Sequence, residues 1–118
     1  LSGYIPPSFG EMEALEVLNL TGNRLSGLIP YQLGYITSIH TLSLSLNQLS
    51  GDIPSEIFTI ETLNNLFLQE NNLTGTISSD ICQDFSRFEK FGIWDNFLCP
   101  PYPSCIGYTK QASTAGCK

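Results

Sequence analysis

The six letters "LSGLIP" at residues 25–30 return as "LSGDIP" at 49–54. Their relatives are "LSGYIP" at 1–6 and "LTGTIS" at 73–78. Leu1, Leu25, Leu49 and Leu73 are each 24 residues apart. The letters upstream repeat as well: "LEVLNLTGNRL" (15–25), "IHTLSLSLNQL" (39–49), "LNNLFLQENNL" (63–73) and "FEKFGIWDNFL" (88–98). Each fits apolar-x-x-apolar-x-apolar-x-x-Asn-x-Leu, with Asn23, Asn47, Asn71 and Asn96 at the polar position. The last step is 25 residues, which places one inserted residue between Ile81 and Phe88. A fixed period in the twenties makes each period one coil of a stacked solenoid, because one coil cannot cover its apolar face alone.

The letters have physical roles. The apolar-x-apolar centre, such as Leu18 and Leu20, predicts a short strand that turns alternate side chains inward. The chain then bends at asparagine, whose amide bonds main-chain groups where neighbouring coils exclude water. Leu25 with Ile29, and Leu49 with Ile53, drop into the same interior. Gly27, Gly51 and Gly75 permit positive φ or close approach at the bend. Pro30 and Pro54 fix φ and forgo a ladder donor, as suits an extended edge.

The "LSGxIP" half resembles the plant-type leucine-rich repeat family, known from receptor-like kinase ectodomains, receptor-like proteins and polygalacturonase-inhibiting proteins. The resemblance covers residues 1–98. It implies an α/β-type solenoid, a right-handed superhelix with a short parallel sheet on its concave face and an irregular or 3-10 convex side. Ser78 stands where the other three copies have proline, and the coil after Leu98 abandons the pattern. Residues 1–98 therefore read as about four coils, the first partial. Residues 99–118 read as a C-terminal cap, whose character begins near residue 82. Because the chain opens inside a repeat, it reads as the C-terminal part of a longer domain, with further coils on the N-terminal side.

All four cysteines, Cys82, Cys99, Cys105 and Cys117, fall in the final third. Their spacing suits a disulfide-tied cap over the exposed last coil better than a zinc site, which favours close Cys-x2-Cys or His partners. Bridges imply an oxidising, extracellular setting, secreted or at the cell surface. Aligning Leu73 with Leu98 puts Cys105 opposite Asp80, two places from Cys82. Cys82–Cys105 with Cys99–Cys117 is therefore feasible; Cys82–Cys99 with Cys105–Cys117 stays open. The segments "LCPPYPSC" and "GYTKQASTAGC" resemble caps of some bacterial surface or secreted members of the family.

In the strand, the x positions point away from the core. They are Val17, Asn19 and Thr21; Thr41, Ser43 and Ser45; Asn65, Phe67 and Gln69; Lys90, Gly92 and Trp94. Gly22, Leu46, Glu70 and Asp95 follow them. The first two coils present small polar groups. The third and fourth present Phe67 and Trp94 with Gln69, Glu70, Lys90 and Asp95 around them, the make-up of a binding hot spot. The resemblance implies that ligands bind this concave face. Asn19-Leu20-Thr21 and Asn72-Leu73-Thr74 match the N-glycosylation pattern, although both overlap obligatory repeat letters.

A net charge of −6, from eleven acidic against five basic residues, excludes nucleic acid and an anionic membrane surface as partners. The single histidine, His40, sits at a variable repeat position, and GxSxG, HExxH and a phosphate-cradling loop are all missing. No enzyme, cofactor or metal is expected. The function read from these residues and the resemblance is extracellular recognition of a protein or peptide, in a receptor-like or secreted protein. An inhibitor of a secreted hydrolase, or a structural spacer with no ligand of its own, are the alternatives.

Overall fold

A computed structural model describes residues 1–107 and 109–117; Tyr108 and Lys118, within the expected cap, lie outside the described residues. Two parallel sheets run along the stack. The first holds β2 (Val17–Asn19), β4 (Thr41–Ser43), β6 (Asn65–Phe67) and β8 (Lys90–Gly92), in that order. The second holds β1 (Ser2–Gly3), β3 (Arg24–Leu28), β5 (Gln48–Gly51) and β7 (Asn72–Leu73). Leu18, Leu42, Leu66 and Phe91 stand in one register column of the first sheet. The turns between coils carry 3-10 helices at Pro7–Glu11, Tyr31–Tyr35, Ser55–Thr59 and Ser79–Arg87. Parallel strands joined by such crossovers wind right-handed.

The repeat letters build this because each fills one place in a shared interior. Leu42, Leu44, Leu49, Ile57, Leu66, Leu68, Leu73 and Ile81 are fully buried. Leu18 is 8% exposed, because no coil covers it on its N-terminal side. The prolines do more than mark an edge. Pro30 and Pro54 are extended, with φ of −66° and −62°, and they lead straight into the 3-10 turns. Their carbonyls accept the N–H groups of Leu33 at 3.1 Å and Ile57 at 3.2 Å. Where Ser78 stands in place of proline, its carbonyl accepts the Ile81 N–H at 3.4 Å in the same way, and its Oγ adds a side-chain cap by accepting the Asp80 N–H at 3.1 Å.

The asparagines form a ladder. Asn71 Oδ1 accepts the Leu49 N–H at 3.0 Å, while Nδ2 donates to the carbonyls of Leu44 (2.9 Å) and Leu68 (3.2 Å). Asn47 and Asn96 repeat the arrangement with Leu25 and Leu73 as donors. All three are buried, whereas Asn23 at the open end is half-buried. Each rung satisfies main-chain groups from two coils, which are costly to leave unpaired in a dry bend.

The extra residue between Ile81 and Phe88 is absorbed at Asp84. Its φ of −153° and ψ of 60° break the long 3-10 segment. Arg87 fastens this kink: its guanidinium donates to the carbonyls of Asp84, Phe58 and Leu63, and it stacks on the Phe88 ring at 4.5 Å. Beyond it, Phe85, Phe88 and Phe91 replace the aliphatic ladder with rings 5.2–5.6 Å apart.

Cys82 is bonded to Cys105 and Cys99 to Cys117, with Cα atoms 5.6 Å apart in both bridges. The alternative pairing that spacing left open is not the one present. Within the cap, Gln111 continues the ladder: its Oε1 accepts the N–H groups of Asn96 at 3.2 Å and Leu98 at 3.1 Å. Lys110 O accepts the Asp95 N–H at 2.9 Å, so the cap adds a last rung of backbone pairing beside the concave sheet.

Candidate functional site

The concave face is the outward side of the first sheet, and its columns follow from the register. Asn19, Ser43, Phe67 and Gly92 make one column. Beside it the backbone ladder continues through Ser45, Gln69 and Trp94, whose carbonyls accept the N–H groups of Gly22, Leu46 and Glu70. The next position is bent into the left-handed region in every coil: Gly22 (φ 71°), Leu46 (56°), Glu70 (60°) and Asp95 (54°). That bend is what turns the chain from the strand into the asparagine rung.

The second coil is less open than its small polar letters suggest. Ser43 and Ser45 are only 7% and 4% exposed. The Ser43 hydroxyl contacts those of Thr21 and Ser45, and Phe67 follows Ser43 in the same register column. Small side chains on a curved sheet sink between their neighbours. Val17, Asn19 and Thr21 of the first coil are exposed, and the aromatic and charged side chains of the face lie in the third and fourth coils. Phe67 and Gln69 are half-buried; Glu70, Lys90, Trp94 and Asp95 are exposed, Trp94 at 42%.

Trp94 is not a free side chain. A β-carbon on Gly92 would stand 2.7 Å from its Cζ3 and 2.6 Å from Gln69 Oε1. The indole therefore rests in the space that a side chain at Gly92 would take, in the same column as Phe67. Gly92 does not have positive φ, so the glycine here serves the tryptophan and not the backbone. Gln69 Oε1, which reaches the same space above Gly92, is a buried acceptor with no hydrogen-bond partner among the described residues. An indole with a fixed seat, a neighbouring phenyl ring and a rim of two carboxylates and Lys90 can bind a chain with an apolar anchor at low entropic cost.

Sequence reasoning missed three residues of this region. Gly92 appeared only as a small outward residue; its value is visible once Trp94 is seen lying on it. Lys110 and Gln111 lie in the cap, where the period is broken and no spacing rule reaches. His40 bonds Thr41 through Nδ1 at 3.1 Å, and its Nε2 lies 3.5 Å from Glu16 on the surface. Of the glycosylation patterns, Asn19 is exposed and its Oδ1 accepts the Thr21 N–H at 3.1 Å; Asn72 is exposed on the second sheet. Among the described residues no group of three or more His, Cys, Asp or Glu is placed to hold a metal, and no helix is long and apolar enough to cross a membrane.

A family model described as Leucine Rich Repeat matches residues 14–36, 38–60 and 62–83, more than half of the chain. The chain belongs to the leucine-rich repeat family. Solved leucine-rich repeat structures agree. A chain of the BIR3–SERK2 complex from Arabidopsis thaliana is 35% identical over 93% of this chain, with a TM-score of 0.84. The Arabidopsis receptor kinase HAESA, solved with the peptide hormone IDA and the co-receptor SERK1, is 28% identical over 93%, with a TM-score of 0.81. A plant ice-binding protein is 28% identical over 84%, with a TM-score of 0.75. This leucine-rich repeat segment spans 61%, 19% and 32% of those chains respectively. The 93% matches extend past the repeats into the cap. No curated protein sequence matches the chain.

Proposed function

We propose that this chain is an extracellular recognition module that binds a protein or peptide on the concave face of its third and fourth coils, as part of a receptor-like or secreted protein. The observation that carries the reading is Trp94, exposed yet seated on Gly92 beside Phe67. A seated indole with a second aromatic residue in the adjoining register position and a polar rim matches the usual core of a protein-binding hot spot. Gln69, Glu70, Lys90 and Asp95 supply the rim. Two disulfides support an oxidising compartment outside the cytosol. The HAESA structure supports the ligand class, since it holds a peptide hormone and a co-receptor. Binding is the role proposed, not catalysis.

The test compares the chain with its Phe67→Ala/Trp94→Ala variant, immobilised and exposed to extracellular fluid. A protein or peptide retained by the parent and lost from the variant, at unchanged melting temperature, supports the reading. Unfolding of the variant would assign the two rings to the core. A parent that retains nothing would favour a spacer, and inhibition of ice growth without any polypeptide ligand would replace the reading altogether.

A further inference from the structure

A second surface lies away from the concave face, on the flank formed by the second sheet and the 3-10 turns. In each coil the residue before the buried isoleucine leans over the glycine of the next coil: Tyr4 over Gly27, Leu28 over Gly51, Asp52 over Gly75. These glycines have φ of 80°, 77° and 80°. The side chains on this flank are unusually apolar for a surface. Tyr4 is 71% exposed, Leu28 67%, Tyr31 49% and Tyr35 59%. The Tyr31 and Tyr35 rings meet edge to face, with centroids 6.0 Å apart.

Between Leu28, Tyr31 and Pro54 runs a groove of about 490 Å³, and its polar walls are Asp52 and Glu56. No lysine or arginine lines it. Among the described residues neither carboxylate has an ion-pair or side-chain hydrogen-bond partner. The groove thus combines apolar walls, an aromatic ring and two uncompensated negative charges.

The geometry points to a basic segment of a partner polypeptide as the occupant, with one lysine or arginine side chain inserted here. The methylene stem would lie along Leu28 and Pro54, with the cation beside Glu56 and the Tyr31 ring and with Asp52, whose carboxylate leans over Gly75, at the rim. A neutral sugar could donate its hydroxyls to the carboxylates but would leave both negative charges without a counter-charge, which a basic side chain supplies. The net charge of −6 draws such a partner from a distance. This surface stands independently of the concave site and allows two partners at once.

The probe is a fluorescein-labelled peptide of alternating arginine and glycine, with a glutamate–glycine peptide as control, followed by fluorescence anisotropy at two salt concentrations. The Asp52→Asn/Glu56→Gln pair is compared with the charge-matched Glu13→Gln/Glu89→Gln pair, whose residues are exposed elsewhere. The groove pair is expected to weaken binding about three- to tenfold, and Tyr31→Ala by a comparable factor, with less than twofold change in the control pair. Phe67→Ala/Trp94→Ala should leave the affinity unchanged. Equal weakening by both charge pairs would reduce the effect to long-range attraction and overturn the site. Binding of maltohexaose at Tyr31, with no response to the arginine peptide, would overturn it in favour of a sugar.

Discussion

Gln111 Oε1 accepts the Leu98 N–H at 3.1 Å, the bond that Asn47, Asn71 and Asn96 make to Leu25, Leu49 and Leu73. Its Nε2 donates to the Ile93 carbonyl at 3.2 Å and to Thr109 Oγ1 at 3.3 Å. Gln111 makes these bonds from the cap, where the 24-residue period is lost, with a side chain one methylene longer than asparagine's. The cap ends the solenoid by satisfying the last orphaned main-chain groups from outside.

Gln111→Ala should leave the N–H groups of Asn96 and Leu98 unpaired next to the core and cost about 2 kcal/mol. Gln111→Asn should recover little of this, because its amide falls short. Urea unfolding gives the stability, and hydrogen exchange at the Leu98 amide gives the local effect. Unchanged exchange at Leu98 would show that the rung is not holding the cap.

Within the ladder, position sets the cost. Asn71 is buried and joins two coils, while Asn23 is half-buried and meets only Leu1, Leu20 and Thr21. Asn71→Ala should destabilise by about 3 kcal/mol and Asn23→Ala by about 1 kcal/mol or less. Asn71→Asp keeps the acceptor for Leu49 and sets a carboxylate against the Leu44 and Leu68 carbonyls, so it should be no better than alanine. Denaturant midpoints of the three variants provide the check.

The bridges hold the cap against an incomplete aromatic wall. Cys82–Cys105 spans 23 residues and Cys99–Cys117 spans 18. Loops of that size correspond to about 3 kcal/mol each from lost unfolded-state entropy. Replacing the first pair by serine should also open Phe85, Phe88 and Phe91, which pack against the core and lie near one bridge end. The second pair should affect stability with less exposure of those rings. Dye binding to exposed apolar surface, measured beside the melting temperature, separates the two.

The strands, the shared leucine interior and the asparagine column were legible because they recur, and recurrence reports a packing constraint repeated in every coil. The cap was legible only as cysteines and a lost period. Gln111 acts through a backbone path that one sequence does not encode locally. The concave face was legible as outward positions but not as exposure. Ser43 and Ser45 point outward and are still buried, because burial there depends on the neighbouring coils' side chains. Trp94 read as an outward aromatic; its seat on Gly92 needed the three-dimensional register.

That seat makes Gly92→Ala an informative change. The backbone tolerates it, since Gly92 lacks positive φ, so any effect comes from contact. The new methyl group would collide with Trp94 Cζ3 and Gln69 Oε1, and one of them must move. The indole is the more exposed of the two and should swing outward. Trp94 is the chain's one tryptophan, so its emission reports this directly: a red shift is expected, with a stability change of about 1 kcal/mol. Ligand affinity at the concave face should fall along with the shift, because the ring loses its fixed position beside Phe67. An emission spectrum identical to the parent's would mean that the glycine does not position the ring.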